Sequence, residues 1–147
     1  MHNPYRQLLF MTALHFIAMY ILMYAMVNTF ANALPNLNQL YMAALMTSPM
    51  LLFELWLMGA MYPNKVLNAV AAVAAVAILG GSYLFIRQQA GIGDEEFLRS
   101  MIPHHAGAIL MCEQASLEDE QVQELCANII SGQQAEIDWM NAKLDSF

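Results

Sequence analysis

The sequence predicts an all-α protein in which three transmembrane helices precede an antiparallel helical hairpin. Of its 147 residues, 59% are hydrophobic and only 12% are charged, so the chain is far more apolar than an average soluble domain. The apolar residues concentrate in three spans, each close to the roughly 20 residues that a helix needs to cross a bilayer. We therefore divide the chain into a transmembrane domain at 1–90 and a helical hairpin domain at 91–147, whose side chains are considered below as metal ligands.

The three spans run from Leu8 to Val27, from Leu40 to Met61 and from Val66 to Ile86. The first span is longer than the roughly 7 to 15 apolar residues of a secretory signal, so we interpret it as an uncleaved helix. The short connection at Pro63 makes the second and third helices antiparallel neighbours. The lipid bilayer is thus the first partner that the sequence predicts.

Charged residues indicate an orientation. Arg6 and Lys65 would lie on one side of the membrane, which the positive-inside rule makes cytoplasmic, although Arg87 on the opposite side weakens the bias. We therefore expect a bacterial inner membrane location, a cytoplasmic N-terminus and a periplasmic or extracellular hairpin. All but one of the twelve acidic residues lie between Asp94 and Asp145. Such an acidic segment argues against nucleic-acid binding and is compatible with attracting cations.

Helix signals define the hairpin. Asp94 is a plausible N-cap for an amphipathic helix that runs to about Ala115. Ser116 with Asp119 resembles a capping box that opens a second helix through Leu144. A hairpin of about 50 residues buries too little surface to stand alone, so we expect a homodimer or a higher homo-oligomer that completes a four-helix bundle.

The string MIPHHAGAILM in the first hairpin helix places two adjacent histidines after a proline. Met101 precedes His104 by three residues and His105 by four, so Met101 and one histidine can share an ion on one helix face. Met111 lies about 10 Å beyond His104 along the helix, so it suits a second metal site or an entry site better than a shared ion. Pro103 lacks an N–H and leaves the carbonyl of residue 99 without its helical partner.

Positions across the hairpin supply further candidates. If the hairpin turns near Asp119, His105 is level with Gln133. Met140, further along the second helix, is then the best third metal ligand from that helix. The same geometry sets Cys112 level with Cys126, which favours a disulfide. Buried thiols that pack helix to helix, or thiolate metal ligands, remain alternatives for the two cysteines.

The types of these side chains indicate the metal. Thioether and imidazole groups together favour Cu(I), with Ag(I) as its mimic, and the lack of clustered carboxylates disfavours Mg²⁺ and Ca²⁺. A zinc site would usually need cysteine or additional histidines. The alternative is structural: methionines would fill a helix interface while histidines occupy its polar edge.

Two ordered motifs resemble the domain of unknown function 305 family. They are M-I-P-H-H-x-x-A-x-x-M and the later IISGQQAEIDWM, and the resemblance covers Asp94 to about Leu144. It implies a ferritin-like helical bundle and copper handling in bacterial envelopes. It also implies roles for residues at the motif positions. These are the metal ligands Met101, His104, His105, Met111 and Met140, with Gln133 and Glu136 in the surrounding shell.

Stripes of methionine on the first two spans raise the question of a second site. Each stripe repeats at helical spacing and includes one ionisable residue, and an antiparallel pairing would bring His15 and Glu54 to one depth. Intramembrane ionisable residues usually face an interior partner. The stripes therefore indicate either an ion path or copper site, or an internal seam in which the two ionisable residues satisfy each other. The residues concerned are Met11, His15, Met19, Met23, Met46, Met50, Glu54 and Met58.

These observations favour a membrane-anchored protein that captures or buffers Cu(I), for resistance or for transfer to a copper-handling partner protein. An oligomeric copper transporter or conduit that uses the methionine stripes is an alternative, and so is a structural membrane adaptor without metal. An enzyme such as a copper oxidase is disfavoured, because the sequence has no nucleophile triad, nucleotide-binding loop or Glu-x-x-His motif.

Overall fold

The computed structural model describes residues 3–147, and the regular elements within that range are all helical. The prediction of an all-α protein is therefore confirmed at this level. The first three helices are long and apolar enough to cross a membrane. The five α-helices are α1 (Pro4–Leu22), α2 (Leu37–Leu57), α3 (Lys65–Gln88), α4 (Asp94–Gln114) and α5 (Glu120–Leu144).

The helices divide into two compact units. A three-helix unit contains the described residues through Leu22 together with Asn38–Ala90, and a hairpin unit contains Met23–Leu37 together with Gly91–Phe147. Met23–Leu37, which the predicted division assigns to the transmembrane domain, groups with the hairpin, and the predicted domain boundary after residue 90 stays a prediction. The first two residues of that predicted domain lie outside the described part of the chain.

Polar groups at the helix ends hold the three-helix unit together. At one end, the Tyr5 hydroxyl lies 3.0 Å from the Asn68 side-chain oxygen and accepts a hydrogen bond from the Asn64 N–H at 2.8 Å. The Asn64 side chain in turn caps the start of α3. At the other end, the Tyr41 hydroxyl of α2 donates to the carbonyl of Ala90 at 2.8 Å.

The hairpin unit has an apolar core between α4 and α5. Its buried members are Leu98, Ile102, Ala106, Ile109, Ile137 and Met140. Asp119 caps α5 by accepting a hydrogen bond from the Val122 N–H at 3.0 Å. The expected capping role of Ser116 is therefore wrong, because α5 begins three residues later than that role requires. Asp94 is the first residue of α4, and Gly93 occupies the N-cap position.

The segment Met23–Leu37 packs against this hairpin as a third layer. Val27 and Leu34 contact the apolar core. Met26 approaches α4 so closely that a Cβ at Gly107 would lie 3.5 Å from its carbonyl oxygen. The hairpin thus covers part of its apolar surface within the same chain, which the sequence did not predict.

Pro103 explains one contact of this segment. It lies inside the continuous helix α4, where it leaves the Arg99 carbonyl without a helical donor. The side-chain amide of the buried residue Asn36 points to that carbonyl with an N···O distance of 3.4 Å. The segment also presents the Leu37 N–H, which donates to the Glu96 carboxylate at 3.0 Å. A donor from the segment therefore replaces the donor that proline lacks.

Candidate metal centre

His105 is the predicted ligand with the most defined geometry. The side chain is buried, with 7% of the residue exposed, and it faces α5 from the middle of α4. Its Nδ1 lies 2.9 Å from the Met101 carbonyl oxygen, one helical turn earlier, and its Nε2 lies 2.5 Å from a carboxylate oxygen of Glu136. The imidazole is thus held between its own helix and the neighbouring one.

Protons determine what this arrangement can do chemically. A carbonyl oxygen only accepts, so Nδ1 carries a hydrogen and donates it to Met101. The contact between Nε2 and Glu136 then contains one shared proton, on either the imidazole or the carboxyl group. A metal ion can take the place of that proton, because neutral imidazole nitrogen and carboxylate oxygen are both metal ligands. Donation from Nδ1 to a backbone carbonyl is also the usual way in which a ligating histidine is oriented.

Two thioethers lie one turn away from this contact. Met101 precedes His105 by four residues on α4, and Met140 follows Glu136 by four residues on α5. Because α4 and α5 are antiparallel, both methionines lie on the same side of the contact along the hairpin. Met140 is 4% exposed within the core, and Met101 packs against that core. The hairpin therefore places one nitrogen, one oxygen and two sulfur donors in one region.

The remaining predicted hairpin residues are placed differently. His104 is exposed, with its ring centroid 6.0 Å from that of His105 in an edge-on arrangement. Met111 is exposed, seven residues beyond His104. Gln133 is half-buried, one turn before Glu136. The structure thus brings Met101, His105 and Met140 toward one region, but it leaves His104 and Met111 on the surface.

Glu136 contacts His105 directly, although the sequence placed Gln133 level with that histidine. Side chains on a helix lean toward its N-terminus. On antiparallel helices these leans point in opposite directions along the hairpin. His105 therefore meets a residue that is three positions further along α5 than the one at equal height. Glu136 in the string IISGQQAEIDWM was visible in the sequence, but the direction in which its side chain points was not.

Within residues 3–147, no three His, Cys, Asp or Glu side chains form a cluster able to hold a metal ion. A metal bound at His105 would therefore draw additional ligands from the thioethers. Cys112 and Cys126 form a disulfide across the hairpin, with their Cα atoms 5.2 Å apart. While they are bonded, neither sulfur is a thiolate ligand.

The residues of the predicted intramembrane stripes differ in burial. The half-buried members on the first two helices are Met11, His15, Met19, Met50 and Glu54, whereas Met46 and Met58 are exposed. Met23 belongs to the hairpin unit, because α1 ends at Leu22.

Glu54 has a different hydrogen-bond donor from the expected His15. Its carboxylate accepts a hydrogen bond of 3.0 Å from the hydroxyl of Tyr62, which is buried in the turn before α3. Burial, followed by this hydrogen bond, raises the pKa of Tyr62 to about 12. The protonated phenol is therefore a persistent donor to Glu54, and this contact fixes the end of α2 to the turn that follows it.

The fold and the site together define a helical protein with three apolar helices and a disulfide-linked hairpin that holds a histidine against a carboxylate. The sequence model described as domain of unknown function (DUF305) matches residues 86–144, which include α4 and α5. The uncharacterized protein L153 of Acanthamoeba polyphaga mimivirus is 31% identical over 144 residues, covering 94% of this chain and 91% of the relative. The chain belongs to the DUF305 family. No solved structure matches it.

Proposed function

We propose that the chain is a membrane-anchored protein that binds Cu(I) on its hairpin, for buffering, resistance or transfer to a partner protein. One observation carries the proposal: the Nδ1–H of His105 is held by the Met101 carbonyl, so that Nε2 is aimed across the hairpin at Glu136. The thioethers of Met101 and Met140 lie one turn from that contact.

The donor types favour a soft ion. Imidazole and thioether groups suit Cu(I), and Ag(I) binds similar ligands, whereas a carboxylate suits harder ions. The side chain of Glu136 is 62% exposed, so it can turn toward solvent when an ion binds Nε2. In this mechanism His105 is the anchoring ligand, Met101 and Met140 supply sulfur, and Glu136 occupies the position until the metal arrives. His104 and Met111 are exposed, about 10 Å apart along α4, and each would be an entry ligand for incoming copper.

The disulfide supports a location for the hairpin. Bonded cysteines persist in oxidising compartments, so the bond between Cys112 and Cys126 favours the periplasmic or extracellular side of a bacterial inner membrane. In this arrangement α1, α2 and α3 cross the bilayer and anchor the hairpin at its surface.

A dimer would complete a ferritin-like four-helix bundle from two hairpins. Leu125 and Trp139 are exposed and are fourteen residues apart, which places them on one side of α5. That side offers the apolar surface on which a second hairpin would pack, because Met23–Leu37 already covers part of α4.

Copper content and Cu(I) affinity test the proposal on the full chain in mild detergent. Competition with a chromophoric Cu(I) chelator should show tight binding by the native protein. His105→Ala should weaken it at least tenfold, while His15→Ala, a matched change in α1, should leave hairpin binding unaltered. Purified protein that binds no copper would contradict the proposal and support a structural membrane adaptor.

A further inference from the structure

The three-helix unit contains a cavity of about 390 Å³. Residues from all three helices line it, including Phe16 of α1, Leu51 of α2 and Ala75 of α3. Its volume lies within the range of about 300 to 1,000 Å³ that is usual for small-molecule pockets. None of the methionines in the described chain lines it, and neither do His15 and Glu54. The cavity is therefore separate from the candidate copper ligands.

Three hydroxyl side chains line this otherwise apolar cavity, and their hydrogen bonding differs. The Thr12 hydroxyl donates to the carbonyl of Leu8 at 2.8 Å. The Ser48 hydroxyl donates to the carbonyl of Ala44 at 2.7 Å. The Thr47 hydroxyl is buried without a hydrogen-bond partner among the described residues, and the whole residue is 5% exposed. A buried hydroxyl without a partner costs free energy, which a bound acceptor would recover.

The depth of Thr47 restricts the ligand. Thr47 lies ten residues from each end of α2, which is about 15 Å at 1.5 Å per residue. The hydrocarbon core of a bilayer is about 30 Å thick, so the hydroxyl lies near its middle if α2 crosses the membrane as proposed. The ester carbonyls of phospholipids lie at the headgroups, outside that depth.

Water and ions are poor candidates for the same position. A buried water needs about two to four polar partners, whereas the walls of this cavity are apolar apart from three hydroxyl groups, two of which already donate to their own helices. A charged ligand would be costly at the bilayer centre. We infer that the cavity binds a neutral, lipid-soluble carbonyl compound, of the kind that quinones represent, whose oxygen accepts a hydrogen bond from Thr47. The apolar walls hold the body of the ligand, and the hydroxyl selects for the carbonyl.

Benzophenone is a suitable probe, because it is a neutral, lipid-soluble ketone that attaches to nearby C–H groups under ultraviolet light. The full chain in lipid nanodiscs would be labelled over a range of probe concentrations, and the attachment sites would be mapped by peptide mass spectrometry. We expect saturable labelling at cavity residues such as Leu51 and Ile78. Thr47→Val should raise the half-saturating concentration about two- to tenfold, the usual range for one hydrogen bond.

Matched controls separate the hydroxyl from the shape of the cavity. Thr12→Val removes a hydroxyl that already has a partner in its own helix, so it should leave labelling unchanged. Thr47→Ser keeps the hydroxyl and should retain saturable labelling. With deuterated benzophenone as the probe, diphenylmethane, which has a similar shape but no carbonyl, should compete less well than ordinary benzophenone in the native protein and equally well in Thr47→Val.

Three results would overturn the inference: labelling that does not saturate, equal effects of Thr47→Val and Thr12→Val, or equal competition by the two compounds in the native protein. Should Thr47→Val fail to fold, the competition in the native protein decides the matter. Copper plays no part in these measurements, so their failure is distinct from failure of the proposed copper binding.

Discussion

The hairpin unit and the three-helix unit place their apolar side chains in opposite ways. In the hairpin, Ile102, Ile109 and Ile137 are fully buried between α4 and α5. In the three-helix unit the buried apolar residues are Leu8, Ala43, Tyr62 and Ala75, two of them small, while many large side chains point outward. The exposed large side chains of that unit include Phe10, Trp56, Val70 and Val73. Burial of apolar surface away from water contributes to the stability of the hairpin, whereas the helices of the three-helix unit are apolar enough on their outer faces to lie in a membrane.

The two units are also held together by different contacts outside their apolar cores. The hairpin gains a disulfide and the packed segment Met23–Leu37. The three-helix unit relies on polar contacts at helix ends, such as those of Tyr5 and Tyr41. We therefore expect core substitutions to be costly in the hairpin and mild on the outer faces of the three-helix unit.

Truncation in the hairpin core should have the largest effect. Ile102 is 0% exposed, so Ile102→Ala should destabilise the hairpin by about 2 to 5 kcal/mol, through lost burial and the cavity left behind. The measurement is amide hydrogen exchange along α4 in the full chain. Val73→Ala on exposed α3 is the matched control and should change exchange in its own helix little. Equal changes in hydrogen exchange in the two variants would show that the two units do not differ in how much their apolar side chains contribute to stability.

Reduction of the disulfide should have the next largest effect. Cys112 and Cys126 are 14 residues apart, and closing a loop of about that length is worth about 3 kcal/mol in the chain-entropy estimate. Limited proteolysis with and without a reductant should show faster cleavage near residues 115–119 after reduction. The double substitution of both cysteines by alanine should behave like the reduced protein and should no longer respond to the reductant.

Local patterns in the sequence predicted the helices and part of the hairpin geometry. The apolar spans corresponded to α1, α2 and α3, and the level positions paired Cys112 with Cys126. Pro103 indicated a carbonyl in need of a donor. The donor itself, Asn36, is 63 residues away from Arg99, and helical periodicity contains no information on such a contact.

For the candidate site, too, the sequence indicated residues along each helix but missed a contact between helices. His105, Met101 and Met140 were identified from spacing and family resemblance, and the structure brings these three into one region. Its direct carboxylate contact, Glu136, depends on the lean of side chains on antiparallel helices. The orphan hydroxyl of Thr47 could not be predicted, because threonine in a helix usually bonds to its own backbone.

Loss of the Asn36 side chain should have a moderate effect on the hairpin unit. Asn36→Ala removes the donor to the carbonyls of Arg99 and Leu34 and should cost about 2 kcal/mol, at the usual net value of about 1 kcal/mol for each hydrogen bond. Restoring the missing N–H with Pro103→Ala should reduce that cost, since the helix then supplies its own donor. A double-mutant cycle on thermal unfolding of the hairpin measures the coupling. Strict additivity would show that the two groups act independently.

Tyr62 should give the smallest effect, confined to the three-helix unit at high pH. Its pKa is raised to about 12, first by burial and then by its hydrogen bond to Glu54. Because the folded state holds the proton more tightly than the unfolded chain does, this stabilisation is complete below pH 10 and is lost as the pH rises from about 10 through 12. Ultraviolet absorbance of tyrosinate should show a late-titrating group that Tyr62→Phe removes. An unchanged titration curve in that variant would contradict the assignment.

Cu(I) competition on matched hairpin variants of the full chain is the decisive test of copper binding at His105. His105→Ala, which removes the imidazole aimed across the hairpin, should weaken binding at least tenfold. Met140→Leu keeps the core filled and removes only the thioether, so it should weaken binding by a smaller factor without unfolding α5. Both variants should lose Cu(I) affinity while keeping native helix content. Unchanged Cu(I) affinity in His105→Ala would contradict it.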